Sequence, residues 1–390
     1  MKHSAHWLIA AAASMALTIP APKPVQFSDV TQTNLPLLDL ISNSMDVEPL
    51  DVDKDGDLDL IIASEFRPNV ILLNDGKGTF TNGTAGRLTA RNHDHEDIAL
   101  GDFDRDGDID IVFVSEDDKV HEYHLNDGKG VFKDVSDQFP VQCISNAVVA
   151  GDFDKDGDLD LIMGNDGQDF YLANNGKGKF TDETANRMPQ DNDVTQDVEA
   201  ADIDKDGDLD LIFGNEDDNK LYLNNGKGVF TNATVGRLPI QAGSEETRKV
   251  DLADIDNDGD LDIHFSNVNF RKTKNPANRL LINNGKGVFT DETARRYQAV
   301  NNLHTADAQF VDLDNDKDID LILANVFGAG PQALINDGKG VFTEQTKQIL
   351  PEGAGKEAIS VEVADLNKDG LPDIYFGVFR DADALLLSKK

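Results

Sequence analysis

The sequence predicts an all-β chain folded as a seven-bladed β-propeller of four-stranded blades, its N-terminal strand closing the last blade. Three observations lead there. An acidic loop recurs seven times at near-equal spacing. Glycine-rich hairpins follow the first six of these loops but not the seventh. The segment that would complete the seventh unit stands at the opposite end of the chain.

The loop is seen first in Asp51-Val-Asp-Lys-Asp-Gly-Asp-Leu-Asp59. Carboxylates stand at alternate positions, Asp51, Asp53, Asp55 and Asp57; Gly56 permits a sharp turn, and Asp59 closes the set. Oxygen-only ligands at this spacing suit a hard cation of calcium type. Leu58, Leu60, Ile61 and Ile62 then read as a buried strand. The pattern returns at Asp102–Asp110, Asp152–Asp160, Asp202–Asp210, Asp254–Asp262, Asp312–Asp320 and Asp365–Asp373, with first aspartates 51, 50, 50, 52, 58 and 53 residues apart. Units of this size cannot bury a core alone and must stack on their neighbours. An EF-hand would need a glutamate at loop position 12, where this chain has Ile62, Phe113, Met163, Phe213, Phe265, Leu323 and Phe376.

Taken in order, the first unit predicts a short strand before Asp51, the loop and a strand through Ile62. A turn at Phe66-Arg-Pro68, a strand Val70–Leu73, the hairpin Asn74-Asp-Gly-Lys-Gly78 and a strand around Phe80 follow. The hairpin recurs at Asn126–Gly130, Asn174–Gly178, Asn224–Gly228, Asn283–Gly287 and Asn336–Gly340. Each is followed by a phenylalanine (Phe80, Phe132, Phe180, Phe230, Phe289 or Phe342) expected to pack between sheets. The seventh unit ends at Leu385-Leu-Leu-Ser388-Lys-Lys without a hairpin, whereas Val25-Gln-Phe27-Ser-Asp29-Val-Thr31 matches Gly287–Thr293. A blade split between the two chain ends suits a closed ring, in which closure protects the sheet edges.

Loops, hairpins and period together resemble the FG-GAP (VCBS-type) repeats of integrin α-subunit propellers and of many secreted bacterial proteins. The resemblance implies up to seven bound Ca2+ ions, held by side chains at loop positions 1, 3, 5 and 9 and a backbone carbonyl at 7. In this sequence those positions are Asp51, Asp53, Asp55, Asp57 and Asp59, then Asp102, Asp104, Asp106, Asp108 and Asp110, then Asp152, Asp154, Asp156, Asp158 and Asp160. The fourth and fifth loops offer Asp202, Asp204, Asp206, Asp208, Asp210 and Asp254, Asp256, Asp258, Asp260, Asp262. The sixth keeps Asp312, Asp314, Asp316, Asp318 and Asp320 but has Lys317 in place of glycine, and is expected to be the weakest or an empty site. The seventh has Asp365, Asn367, Asp369, Leu371 and Asp373, with less charge.

Much of the formal net charge of −37 resides in these loops, and without cations it would strain the fold by self-repulsion. Such a surface argues against nucleic acid and anionic membranes as partners. The single cysteine, Cys143, excludes an intramolecular disulfide framework. The apolar run Trp7–Ile19, behind a short positive start and before Pro20-Ala-Pro, reads as a signal peptide over residues 1–22. It is too short for a membrane span. The expectation is a secreted or periplasmic monomer whose propeller spans residues 23–390.

The metal loops and hairpins share one face of such a ring, and the more variable connections share the other, which is where recognition is expected. The longest connection there, Asn267–Arg279, carries Asn269, Phe270, Arg271, Lys272, Lys274 and Arg279, a basic run in an acidic protein. Asp46, Asp97, Asp197 and Asp307 stand five residues before their loops and would ring the channel mouth; Ala147, Lys249 and Ser360 hold that position in other units. His93, His95, Glu96 and His304 lie in interblade links and read as solvent-facing polar residues, and His121 and His124 as structural. No nucleophile elbow, phosphate loop or dinucleotide fingerprint is present. The expected function is a calcium-binding module recognising a glycan or extracellular protein; the alternative is a polysaccharide lyase or hydrolase on a calcium-stabilised propeller.

Overall fold

A computed structural model of the chain describes residues 25–36, 43–239 and 245–389. The leader expected over residues 1–22 lies outside the described residues. The described chain is all-β apart from single helical turns; its strands pair into antiparallel units of four, to one of which the short strand Tyr297–Gln298 adds in parallel.

The first unit joins Ser44–Leu50, Asp59–Arg67, Val70–Asn74 and Phe80–Asn82 in sequential antiparallel pairs. The same meander follows from His93–Gly101 to Phe132–Asp134, from Ser145–Gly151 to Phe180–Asp182, and from Asp193–Ala201 to Phe230–Asn232. Two more run from Thr247–Ala253 to Phe289–Asp291 and from Thr305–Val311 to Phe342–Glu344. The last unit holds Ala358–Ala364, Asp373–Val378 and Ala384–Lys389, and its fourth strand is Gln26–Asp29 from the other end of the chain. Phe27 lies opposite Ser388, so the split unit read in the sequence is present. The first strand of each unit packs beside that of the next, and Ser44–Leu50 packs beside Ala358–Ala364, which closes the ring.

The second strand of the first unit runs on through Phe66 and Arg67, where a turn was expected, because Glu65 and Arg67 pair with Asp94 and His93 of the next unit. Short helical turns that the sequence reading did not anticipate follow several fourth strands, as at Thr31–Asn34, Thr184–Arg187, Thr293–Arg296 and Thr346–Ile349.

The core consists of apolar clusters between neighbouring units. Phe80, Phe132, Phe180, Phe230, Phe289 and Phe342 are each buried in one of them, as expected of core residues. Phe27 buries its ring against Ile335 and Ile349 of the sixth unit's side of the same kind of cluster. The closing strand therefore contributes both ladder hydrogen bonds and the phenylalanine that every other fourth strand supplies.

Candidate metal loops and the opposite face

Each acidic loop wraps around its first aspartate. Asp51 accepts hydrogen bonds from the backbone N–H groups of Asp55 and Gly56, both at 3.0 Å. Gly56 has φ +93°, the left-handed region that favours glycine. The residue at loop position 4 is also left-handed in every unit: Lys54, Arg105, Lys155, Lys205, Asn257, Asn315 and Lys368 have φ between 59° and 63°. Lys317 adopts the conformation its neighbours give to glycine, with φ 77°, and its N–H still donates to Asp312 at 3.0 Å. Its side chain is exposed, so the sixth loop keeps its shape at the cost of about 1–2 kcal/mol of backbone strain.

The closing aspartate is buried and anchors the loop to its own blade. Asp59 accepts from Val52 N–H at 3.1 Å and Asn74 N–H at 2.8 Å, and the same two-point anchor recurs at Asp110, Asp210, Asp262 and Asp320. Burial pushes these carboxyls up, to about 6 for Asp59 and Asp373 and about 7 for Asp110, Asp160, Asp210, Asp262 and Asp320. Loop position 3 is held from outside. Arg87, Arg187, Arg237 and Arg296 bind Oδ2 of Asp53, Asp154, Asp204 and Asp256 at 2.8–3.3 Å.

Those contacts leave the inward oxygens without donors. Oδ1 of Asp53, Asp102, Asp152, Asp202, Asp204, Asp256 and Asp314 is buried and has no hydrogen-bond partner. Oxygens of Asp51, Asp53 and Asp59 lie within 4.8 Å of one another, as do those of Asp102, Asp104 and Asp110, of Asp152, Asp154 and Asp156, and of Asp202, Asp204 and Asp206. Unpartnered buried anionic oxygens this close suit a cation with oxygen contacts of about 2.3–2.6 Å. The seventh loop differs: the Asn367 amide donates to Asp373 at 3.1 Å and so occupies part of the space between the ligands.

Position 7 has a different task. The carboxylates of Asp57, Asp108, Asp158, Asp208, Asp260 and Asp318 lie against hairpin glycines, Gly76 and its equivalents, where an added Cβ would come within 2.4–2.7 Å of them. Asp57 pairs with Lys368, Asp108 with Lys54, Asp158 with Arg105, Asp208 with Lys155 and Asp260 with Lys205, each partner coming from the preceding loop. Asn257 replaces the cation toward Asp318 at 3.3 Å. Sequence reasoning missed this belt. Its signal is a cation at position 4 matched to an aspartate at position 7 one repeat later, and both are lost together at Asn315 and Leu371. A second tie is the hairpin asparagine, whose amide donates to the preceding loop, as from Asn74 to Leu366 O at 2.7 Å and from Asn224 to Phe153 O at 2.8 Å.

On the opposite face, Asp46, Asp97, Asp197 and Asp307 converge with Lys249 around a cavity of about 70 Å³ at the channel mouth. They are not free strand starts. Asp97, Asp197 and Asp307 accept the backbone N–H of Val148, Val250 and Val361 in the next unit at 2.7, 2.7 and 2.6 Å. Lys249 Nζ stands 3.5 Å from Asp197 and 3.9 Å from Glu199. Burial raises the carboxyls of Asp46, Glu48 and Asp307 to about 7 and that of Glu199 to about 8, and it also holds Asp97 and Asp251 well above the ordinary carboxylate range. The protein thus supplies its own cation to this ring.

The basic connection is largely neutralised. Arg279 is buried against Glu245 at 2.6 Å and Asp291 at 3.0 Å, Arg271 pairs with Glu216, and Lys274 pairs with Asp217; Lys272 is exposed. Phe270 nevertheless stays at the surface. It meets Phe327 edge to face at 5.3 Å, and the Arg248 guanidinium lies 4.8 Å above its ring. Phe327 in turn packs on His304 at 5.0 Å. His93 binds Asp118 at 2.7 Å, and His95 is buried against Asn69 at 3.1 Å. His121 and His124 are buried, the latter on Glu122 at 2.8 Å, in keeping with a structural role.

The FG-GAP-like repeat family matches this chain at residues 51–113, 102–163, 152–213, 202–265 and 312–376. No curated protein sequence matches it. Among solved structures, BBS1N in its complex with ARL6DN superposes with TM-scores of 0.58 (lead-soaked crystal; 12% identity, 95% of this chain and 98% of that one) and 0.59 (mercury-soaked; 11%, 93% and 97%). A lectin of Agrocybe aegerita, solved for its recognition of non-reducing terminal N-acetylglucosamine, matches at TM-score 0.48 with 20% identity over 78% of this chain and 79% of that one. The likeness to BBS1N shows the fold, a β-propeller.

Proposed function

Starting from the chain's membership of the FG-GAP-like repeat family, we propose that it is a secreted, calcium-stabilised, seven-bladed binding module that recognises a glycan through the face opposite its acidic loops. Calcium in the loops supplies the positive charge that their buried carboxylates lack. The surrounding side chains do the rest: the arginines fix position 3, the closing aspartates anchor each loop to its blade, and the belt of position 4 to position 7 pairs joins blade to blade.

One observation carries the recognition reading. Phe327 and Phe66 stand on the opposite face 59% and 49% exposed, and both are held in the left-handed region, with φ 56° and 53°. A bulky residue there costs about 1–2 kcal/mol, local strain of the kind that clusters at functional sites. Around Phe327 the rings of Phe270 and His304, with the Arg248 guanidinium stacked on Phe270, form an aromatic surface bordered by a polar, charged margin. That combination fits the apolar face and hydroxyl edge of a sugar.

A glycan array with calcium present tests the reading. Saturable binding without new reducing ends or unsaturated products is expected, and F327A and F270A each weaken it roughly 2- to 10-fold. Binding that both substitutions leave untouched would remove this surface as the site. A silent array with a specific protein captured instead would replace the glycan as ligand, and product release would turn the account toward a lyase or hydrolase.

A further inference from the structure

Where the second strand of one unit approaches the first strand of the next, acidic residues meet at several places in the ring, and two of these are resolved differently. Between the fourth and fifth units the acids are Glu216 and Glu246. Arg248 reaches Glu246 at 3.2 Å and Glu216 at 3.9 Å, and Arg271 also binds Glu216. That pair is neutralised by the chain itself.

Between the first and second units the acids are more numerous. Glu65 lies directly opposite Asp94 in the ladder that joins the two blades. Asp94, Glu116 and Asp117 each place a carboxylate oxygen within 4.8 Å of the other two. Like charges opposite one another in a ladder are destabilising. Among the described residues, no lysine, arginine or histidine forms an ion pair with any of these four; Arg248 acts on Glu116, and Arg380 on Glu65, only through space. Asp94 is 1% exposed, its Oδ2 accepts the Asp117 N–H at 3.0 Å, and its Oδ1 is buried with no partner at all. A buried, ionised oxygen left bare is strongly unfavourable unless a cation meets it.

We propose that Asp94, Glu116 and Asp117 hold a divalent cation of calcium type on the face opposite the repeat loops, in the place that Arg248 and Arg271 fill between the fourth and fifth units. The donor set is oxygen alone, which selects a hard cation over zinc or copper. The allowed spread of the oxygens suits contacts of about 2.3–2.6 Å. Asp117 is exposed, so the ion is open to solvent on one side and keeps positions for water or for a ligand's oxygen. This site belongs to no repeat loop, and it stands whether or not the face recognises a glycan.

Calcium bound per full-length chain, measured by equilibrium dialysis up to about 10 mM, tests the site, because solvent-open extracellular sites bind in the range of about 10⁻⁴–10⁻³ M. D94N and E116Q should each bind one ion fewer than the parent at saturation. Both should keep the parent's circular dichroism, and E116Q, altered at a half-exposed position, provides the comparison if D94N folds poorly. Equal calcium counts for the parent and E116Q would overturn the proposal. Crystals soaked in terbium should show an anomalous peak among the three carboxylates; peaks in the repeat loops without one there would overturn it equally.

Discussion

Replacing Lys249 with methionine removes the one ammonium group in the channel ring while keeping the length of its apolar stem. At neutral pH the ammonium faces Asp197 at 3.5 Å and Glu199 at 3.9 Å, with Asp97 and Asp307 acting from further off. At an effective dielectric of about 20, a pair about 4 Å apart is worth roughly 4 kcal/mol before solvent is counted. The Lys249 side chain is 29% exposed, and protonation of the freed carboxylates caps the penalty, so about 2–3 kcal/mol should remain. For a chain of this length that is a fall in melting temperature of roughly 2–4 °C. The pH dependence is the decisive part. Asp46, Glu48 and Asp307 titrate near 7 and Glu199 near 8 in the fold, well above their unfolded values. Their raised values favour the fold at low pH, and that contribution is lost as pH rises through 7 to 8. Lys249 stays charged throughout, because its own value is raised from an already high one. At pH 5 Asp46, Glu48, Asp307 and Glu199 are mostly neutral, so the lysine has fewer carboxylates to pair with. Differential scanning calorimetry at pH 5 and pH 8, with calcium saturating, should therefore show the K249M deficit shrinking to about 1–2 °C at the lower pH. An equal deficit at both would refute the electrostatic account and leave Lys249 as a packing residue.

Two further perturbations probe closure and the irregular loop. F27A removes a ring that is 4% exposed in the cluster between the sixth and seventh units; it should cost about 3–5 kcal/mol, read as a lower denaturant midpoint with an unchanged slope. A change under about 1 kcal/mol would mean that the closing strand does not hold the ring. K317G relieves the left-handed lysine and should stabilise the calcium-free chain by about 1 kcal/mol while raising calcium affinity in the sixth loop; lower stability with unchanged affinity would contradict the reading of that loop.

Much of the architecture is legible in the sequence because the chain states it repeatedly. Seven loops in phase fix the period, the missing hairpin after Leu385 points to a split unit, and Phe27 then falls where every other fourth strand has its phenylalanine. Loop contacts within one repeat are legible for the same reason. What escapes are couplings between repeats. Lys54 and Asp108 look like unrelated surface charges until two blades stand side by side. Arg67 looks like part of a turn because its pairing partner, His93, belongs to the next unit. The spacing does place Asp46, Asp97, Asp197 and Asp307 together, but not what they bind, since the Val148, Val250 and Val361 amides come from neighbouring strands. Lys249 reads only as the residue holding that position in the fifth unit, although it is the ring's counter-charge. The basic run at Phe270–Lys274 misleads in the other direction, because Glu216 and Asp217, which answer it, lie more than 50 residues away in sequence.

The central claim is that calcium in the acidic loops fastens the ring. Thermal unfolding with saturating calcium and after chelation, alongside a count of ions per chain, tests it most directly. A site filled at about a hundred times its dissociation constant contributes about 2.7 kcal/mol, so five regular loops together should shift the melting temperature by more than about 10 °C. The account predicts that shift, reversed by calcium and accompanied by at least five bound ions. The same melting temperature with and without calcium would contradict it.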